Sequence, residues 1–234
     1  MIEDLSLRSE RRYNITATDV ATLFGLNPYE SPASLLEKKL NPQPIVSNHL
    51  RRGKLKEPSV IEAFNLDMGL TAVRHEGGTL TLPGHRIAAT PDAYLLGSKT
   101  VVECKSVTSR NFDKWYTNIP TQYHLQVMMQ MLVVGSEEGF IGALEEGDPY
   151  ECEYRFIAWK MRADEQIFLM IKEEVQRFWA HVDAGTLFRV KSSTKARMKQ
   201  LLEENKVLAY ASPRPEKEEE TREEEISRIL SVFK

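Results

Sequence analysis

The sequence lacks several features that would place it in a familiar class. It has no uninterrupted run of 18 apolar residues, the length at which a helix begins to span a bilayer. The first residues lack the basic-then-apolar order of a signal peptide, so we expect an intracellular, cytoplasmic protein. Two cysteines, Cys104 and Cys152, are too few for a disulfide framework or a four-cysteine metal site. With no internal repeats either, membrane-spanning, disulfide-stabilised and repeat proteins are excluded.

A strong net charge is also missing. The formal charge is -3, and the segment from Glu203 to Lys234 accounts for it with nine acidic and six basic residues. The remaining chain is neutral overall, which neither requires nor excludes nucleic acid, because such binding depends on local basic patches. A hydrophobic content of 41% over 234 residues is enough to bury a core. We expect a main domain over residues 1–188 and an extension over residues 189–234.

The spacing of apolar residues predicts helices packed around strands. Spacings of three and four residues predict helices at 16–24, 32–40, 49–69, 119–134 and 164–185. Extended patterns with Gly-containing turns predict strands at 71–75, 78–82, 85–90, 94–106, 139–147 and 151–160, with a hairpin across Gly97. This order predicts an α/β fold with a central mixed sheet flanked by helices.

The extension is predicted to be helical on both sides of an acidic linker. Residues 194–211 have a helical pattern, 212–220 are rich in Pro and Glu, and 221–234 form a short amphipathic pattern. A helix that short is marginal alone. We expect it to contact the body, a second subunit or a partner.

Two charged residues interrupt an otherwise apolar strand. Glu103 and Lys105 lie two apart and therefore share one face, while Cys104 points to the other. The turn at Gly97 can fold Asp92 back beside Glu103. Adjacent carboxylates repel, and a divalent cation would remove that cost, while the ammonium can orient a water or stabilise negative charge. The pattern fits metal-dependent phosphodiester hydrolysis, although on spacing alone it also fits an ordinary charge pair on a solvated face.

Five motifs extend this pattern along the chain. They are "NITATDVATLFGLNPYESP", "RGKLKEP", "ATPDAYL", "VVECKSVTSR" and "IPTQYHLQVMMQMLV", in that order. Over roughly Arg11 to Val182 the chain resembles the lambda-exonuclease-like (YqaJ) viral recombinase family of the PD-(D/E)xK nucleases. The resemblance implies a restriction-endonuclease-like core and a Mg2+-dependent 5'-to-3' exonuclease, which degrades one strand of linear double-stranded DNA.

The resemblance also implies cofactors and partners. Two magnesium ions are expected, with Mn2+ as a substitute. The partners expected are double-stranded DNA ends and a single-strand annealing protein of phage-type recombination, in a bacterial or phage-infected cell. A homo-oligomer, a toroidal trimer, is expected as well.

Site residues follow from the resemblance position by position. The metal ligands would be Asp92, Glu103, Glu57 and the backbone carbonyl of Cys104. Lys105 would position the attacking water, and Gln126 would lie near it, with Gln130 one turn later as a rival. The 5' phosphate would be held by Arg11, Thr18, Thr90 and Arg110.

Several alternatives stay open from the sequence. Arg12 could replace Arg11, and Thr18 stands where serine is more usual in the family. Trp115 and Tyr116 could stack on a base or pack under the sheet. A restriction or repair endonuclease would use the same core, and a noncatalytic DNA-end-binding module is a third interpretation.

Overall fold

The computed structural model describes residues 12–41, 48–146, 154–205 and 207–211. Its helices are α1 (Val20–Leu23), α2 (Pro32–Leu40), α3 (Asn48–Met68), α4 (Ser109–Phe112), α5 (Thr121–Val134), α6 (Glu165–Asp183) and α7 (Ser192–Glu204), and a 3-10 turn covers Asp113–Tyr116. Its strands are β1 (Ile15–Thr16), β2 (Ala72–Arg74), β3 (Leu80–Leu82), β4 (Ile87–Ala89), β5 (Ala93–Leu95), β6 (Val101–Thr108), β7 (Glu138–Glu146), β8 (Phe156–Arg162) and β9 (Val207–Ala211).

A six-stranded sheet forms the centre, in the order β2-β5-β6-β7-β8-β9. Strands β6 and β7 are parallel, and the other neighbours are antiparallel. A second sheet has the order β1-β4-β3, with β1 parallel to β4. The predicted α/β fold with a central mixed sheet flanked by helices is therefore confirmed.

Both faces of the large sheet are covered. Helix α3 packs on one face, where Val60 and Phe64 join Val102 in one apolar cluster. The other face carries α5, α6 and α7 in a larger cluster. A Cβ at Gly139 would lie 2.8 Å from the Val127 side chain and 2.7 Å from that of Met131, so glycine there lets α5 approach β7 closely. Strand β6 is thus enclosed between two helical layers.

Local signals explain where several helices begin and end. Ser31 caps α2 by accepting a bond from Ser34 N at 3.2 Å, with Pro32 in the first turn as expected. Helix α5 ends at Val134 and is capped by Gly135, which has a φ of 68°. The helix predicted from residue 16 begins only at Val20. The Asp19 carboxylate instead accepts bonds from the amide and the hydroxyl of Thr16, which stabilises a turn ahead of the helix.

The predicted helix over 194–211 is wrong at its end. Helix α7 stops at Glu204, and Val207–Ala211 pairs antiparallel with β8 as an edge strand. The side-chain Nδ2 of Asn205 donates a hydrogen bond to the carbonyl of Arg162 at 3.1 Å. The β-forming sequence "VLAYA" then forms backbone hydrogen bonds with the open edge of β8. The expected linker and terminal helix, Arg11 and Cys152 lie outside the described residues. Within the described ranges, none of the helices combines the length and apolarity needed to cross a membrane.

His124 gives the fold a predictable response to acid. It is 3% exposed, and its Nε2 lies 3.1 Å from Asn205 Oδ1. Burial lowers the pKa of His124 from 6.5 to about 4, although the bond with Asn205 acts in the opposite direction. Between these values the unfolded chain binds a proton that the folded chain does not, so stability falls as the pH falls. We expect a loss of about 3 kcal/mol in the free energy of unfolding between pH 6.5 and 4, measured by urea titration.

A His124→Gln variant keeps an amide donor for Asn205 but cannot take up that proton. Its free energy of unfolding should depend less on pH across the same window. An unchanged slope would contradict the assignment to His124.

Candidate active site

The hairpin of β5 and β6 places Asp92 beside the middle of β6. Gly97 has a φ of 75° in the connecting turn, a conformation that glycine adopts easily. Ala93 pairs with Val102, and Asp92 Oδ2 accepts a hydrogen bond from the backbone N of Cys104 at 2.8 Å. The predicted return of Asp92 to the strand of Glu103 is confirmed.

Glu103 and Lys105 lie together on the face of β6 that α5 covers. Lys105 Nζ donates to Glu103 Oε1 at 2.5 Å, and Gln126 Nε2 donates to the same oxygen at 2.5 Å. Lys105 Nζ also lies 3.3 Å from Gln126 Oε1. Glu103 is only 2% exposed, so this is a buried network and not a charge pair on a solvated face.

Gln126 and Gln130 both contact Glu103. Gln130 Nε2 donates to Glu103 Oε2 at 2.5 Å, so each oxygen of the carboxylate receives one amide. The two glutamines are four residues apart and share one face of α5. The sequence left open which of the two glutamines lies at the site, whereas in the structure both donate a hydrogen bond to Glu103.

Burial and neighbouring charges shift the pKa values of two of these groups. Burial raises the pKa of Asp92 well above its ordinary value, and repulsion from Glu103 raises it further, while Lys105 opposes the change. Burial disfavours the charged form of Lys105, but attraction to Glu103 and Asp92 outweighs this and raises its pKa above the ordinary value. Lys105 is therefore an ammonium at neutral pH.

The donor set suits a hard divalent cation. Asp92 and Glu103 are close enough to repel, and a cation between carboxylates would relieve that repulsion. Among the residues that the structure describes, no three His, Cys, Asp or Glu side chains gather into one metal-binding group. Mg2+ commonly takes only one or two protein carboxylates together with waters and substrate phosphates, so this pair fits it.

Glu57 reaches the site through its charge. It lies on α3 just before Pro58, and its Oε1 is 3.4 Å from Arg74 Nε. Its negative charge contributes to the raised pKa of Asp92. The expected direct roles of Glu57 and of the Cys104 carbonyl as metal ligands stay predictions.

Lys105 is bordered by a pair of aromatic residues that the motifs did not reveal. Lys105 Nζ lies 4.8 Å from the centre of the Tyr123 ring. Trp115 stacks on Tyr123 with ring centres 5.5 Å apart and is 3% exposed, so Trp115 packs in the core. The position of Tyr123, three residues before Gln126 on the same helix, was the sequence signal for this contact.

The residues expected to hold a phosphate are only partly gathered. Thr18 and Thr90 follow the ends of the parallel strands β1 and β4, so both lie at the same edge, with Asp92 two residues further on. The Thr90 hydroxyl lies 3.0 Å from that of Thr79. Arg110 is exposed on α4, and Arg12 lies over the Tyr13 ring with 5.4 Å to its centre. The phosphate-binding roles of these residues and of Arg11 stay predictions.

Comparison with known sequences gives a family match. The model of the YqaJ-like viral recombinase domain matches residues 7–137, which includes Asp92, Glu103, Lys105, Gln126 and Gln130. The uncharacterized protein YqaJ of Bacillus subtilis (strain 168) is 29% identical over 179 residues, which is 73% of this chain and 53% of that protein. The chain thus spans about half the length of this curated relative.

Solved structures share the fold at low identity. An alkaline exonuclease (LHK-Exo) from Laribacter hongkongensis matches with a TM-score of 0.63 and 17% identity, covering 85% of this chain and 98% of that one. The same protein in complex with dAMP matches with a TM-score of 0.61 and 19% identity, covering 83% of this chain and 96% of that one. A phage related exonuclease from Haemophilus somnus 129PT matches with a TM-score of 0.54 and 12% identity, covering 75% of this chain and 97% of that one. This likeness agrees with the restriction-endonuclease-like core expected from the sequence.

Proposed function

The chain belongs to the family with a YqaJ-like viral recombinase domain, and on this basis we propose that it is a nuclease acting on DNA. More specifically, it is a Mg2+-dependent exonuclease that degrades one strand of linear duplex from its 5' end. The observation that carries the proposal is the buried network in which Asp92 and Glu103 share a site with Lys105. A purely structural charge pair would not require a second, repelling carboxylate at this position.

The side chains divide the chemistry between them. Asp92 and Glu103, with Glu57 and the Cys104 carbonyl, would hold the metal, which when bound supplies Lewis-acid polarisation of the phosphate and an acidified water. The Lys105 ammonium holds the attacking water and stabilises the negative charge that develops on the phosphate. Gln126 fixes Lys105 and Glu103 relative to each other through its two amide atoms.

End recognition is assigned to a separate group of residues. Hydroxyls of Thr18 and Thr90 and guanidinium groups of Arg11 and Arg110 would bind the 5' phosphate, because hydroxyls and Arg forks suit its oxygens. Thr18 and Thr90 lie at one edge of the small sheet, and Thr90 is two residues before Asp92, which supports this assignment. A structural neighbour bound dAMP, a deoxynucleoside monophosphate of the kind that an exonuclease releases.

An end-labelled linear duplex tests the function directly. We expect digestion of the 5'-ended strand that requires Mg2+, is faster with a 5' phosphate, and leaves a covalently closed plasmid intact. Cutting of the closed plasmid would indicate an endonuclease, and binding of ends without nucleotide release would indicate a noncatalytic module.

Assembly and partnership extend the proposal. The enzyme acts as a homo-oligomer, a ring-shaped trimer that threads DNA, and passes the remaining strand to a single-strand annealing protein. The family resemblance supports both statements. Light scattering of the purified chain gives the number of subunits, and co-elution with a single-strand annealing protein tests the partnership.

Tyr123 should contribute through its ring. Replacing Tyr123 by Leu removes the aromatic face beneath Lys105, a contact of about 1–2 kcal/mol, so the single-turnover rate should fall about 5- to 30-fold. Tyr123→Phe keeps the ring and should cut at nearly the rate of the unaltered protein. Equal losses in both variants would assign the effect to the hydroxyl instead.

A further inference from the structure

Gln130 is a polar residue at a fully buried position of α5. It is 0% exposed, within a helix whose neighbouring buried positions Val127, Met128, Met129 and Met131 are apolar. Its Nε2 donates to Glu103 Oε2 at 2.5 Å. Its Oε1 is buried and has no hydrogen-bond partner within the described part of the chain.

The unpaired oxygen shows which contact fixes this side chain. A buried acceptor without a partner costs about 1–3 kcal/mol, and such groups in a folded protein call for an explanation. Turning the amide over would place Oε1 against the Glu103 carboxylate, where the two oxygens repel. The amide is therefore held in an orientation that serves Glu103 at the expense of its own second atom.

Glu103 receives donors from three side chains. Oε1 accepts from Lys105 and Gln126, whereas Oε2 accepts from Gln130. Of the two glutamines, Gln126 also contacts Lys105, whereas no contact between Gln130 and Lys105 is found among the described residues. Gln126 thus couples the carboxylate to the ammonium, and Gln130 acts on the carboxylate alone.

We propose that Gln130 is a positioning residue that holds the Glu103 carboxylate in the orientation needed to bind the divalent cation. The inference rests on the proposed function, because it assumes that Glu103 is a metal ligand. Partners of a ligand orient it, and their removal commonly weakens metal binding about 10- to 100-fold. Gln130 contributes to metal affinity, while Gln126 contributes to the chemical step as well.

Three variants of α5 separate these roles. Gln130→Met and Gln126→Met remove one amide each at similar volume, and Met129→Leu is a control, a volume-conserving change of a buried residue on the same helix. Mn2+ binding to the metal-free protein is measured by electron paramagnetic resonance of the free ion, without DNA. The rate of duplex digestion is then measured against Mg2+ concentration, and melting is followed by circular dichroism.

We expect Gln130→Met to weaken Mn2+ binding about 10- to 100-fold and to regain most of its rate at saturating Mg2+. Gln126→Met should stay slow at saturating Mg2+, and Met129→Leu should behave as the unaltered protein. If Gln130→Met does not melt cooperatively, Gln130→Asn replaces it, since it keeps an amide that is one methylene too short to reach Glu103.

Binding of Mn2+ by Gln130→Met with unaltered affinity would overturn the inference, and a change in melting temperature alone would assign Gln130 a structural role. Absence of Mn2+ binding in the unaltered protein would overturn it too. If the unaltered protein binds Mn2+ but does not digest DNA, the proposed function fails, and the inference on Gln130 is still decided by the Mn2+ affinity of Gln130→Met.

Discussion

Replacing Asp92 by asparagine is expected to lower Mg2+-dependent digestion of linear duplex by at least about 1,000-fold, which corresponds to about 4 kcal/mol of transition-state stabilisation. The same change should stabilise the metal-free fold. Burial and Glu103 raise the pKa of Asp92, so this carboxyl costs stability increasingly as the pH rises from its ordinary pKa of 3.8 to the raised value, and fully above it. Asparagine has no charge to bury and can still accept the hydrogen bond from Cys104 N.

The prediction has activity falling and stability rising in the same variant, so the two measurements together separate a catalytic role of Asp92 from a structural one. The melting temperature of metal-free Asp92→Asn should rise by about 2–4 °C for each 1 kcal/mol gained. Loss of activity with loss of stability would mean that Asp92 supports the fold and not the chemistry. Undiminished digestion would remove Asp92 from the site altogether.

Lys105→Met is expected to lose activity to a similar extent but to be less stable. Methionine keeps the apolar stem and removes the ammonium, which leaves the nearly buried Glu103 without its cation. Breaking such a pair from one side costs about 3 kcal/mol, because the remaining carboxylate stays buried. Urea unfolding measures the loss of stability, and single-turnover digestion at saturating Mg2+ measures the rate.

Lys160→Met is a matched control for the loss of a lysine. Lys160 Nζ lies 2.8 Å from Glu138 Oε2, and the Glu138 side chain is 36% exposed. Because water can solvate Glu138 after the change, the expected loss of stability is below about 1 kcal/mol, and the rate should not change. Equal losses in the two variants would show that Lys105 is no more than one of several ion pairs.

The placement of the proposed catalytic residues was largely predictable from the sequence. Side chains alternate along a strand, which assigned Glu103 and Lys105 to one face, and the turn at Gly97 brought Asp92 back to them. Helical spacing likewise put Gln126 and Gln130 on one face of α5. These features depend on local geometry that a few neighbouring residues determine.

Features that depend on distant partners were not predictable in this way. The segment "VLAYA" has a pattern compatible with a helix, and only the open edge of β8 decides that it becomes a strand. Similarly, the sequence could not show that both glutamines reach Glu103, since this depends on how closely α5 approaches the sheet at Gly139. The short α1 reflects the turn that Asp19 stabilises, where side-chain bonding competes with the helix.

Helix α5 is the connection between the two parallel strands β6 and β7, so one β-α-β unit contains Glu103, Lys105, Gln126 and Gln130. With the preceding hairpin, a single stretch of chain from Asp92 to Gln130 carries these side chains, and the proposed phosphate ligands Thr90 and Arg110 lie just before it and inside it, whereas Glu57 and Thr18 come from earlier parts of the sequence. Most of the residues proposed for cleavage and part of those proposed to bind the 5' phosphate are therefore encoded in one short segment. Loss-of-function mutations in this segment should therefore affect cleavage and phosphate binding together, whereas mutations at Thr18 should affect phosphate binding alone.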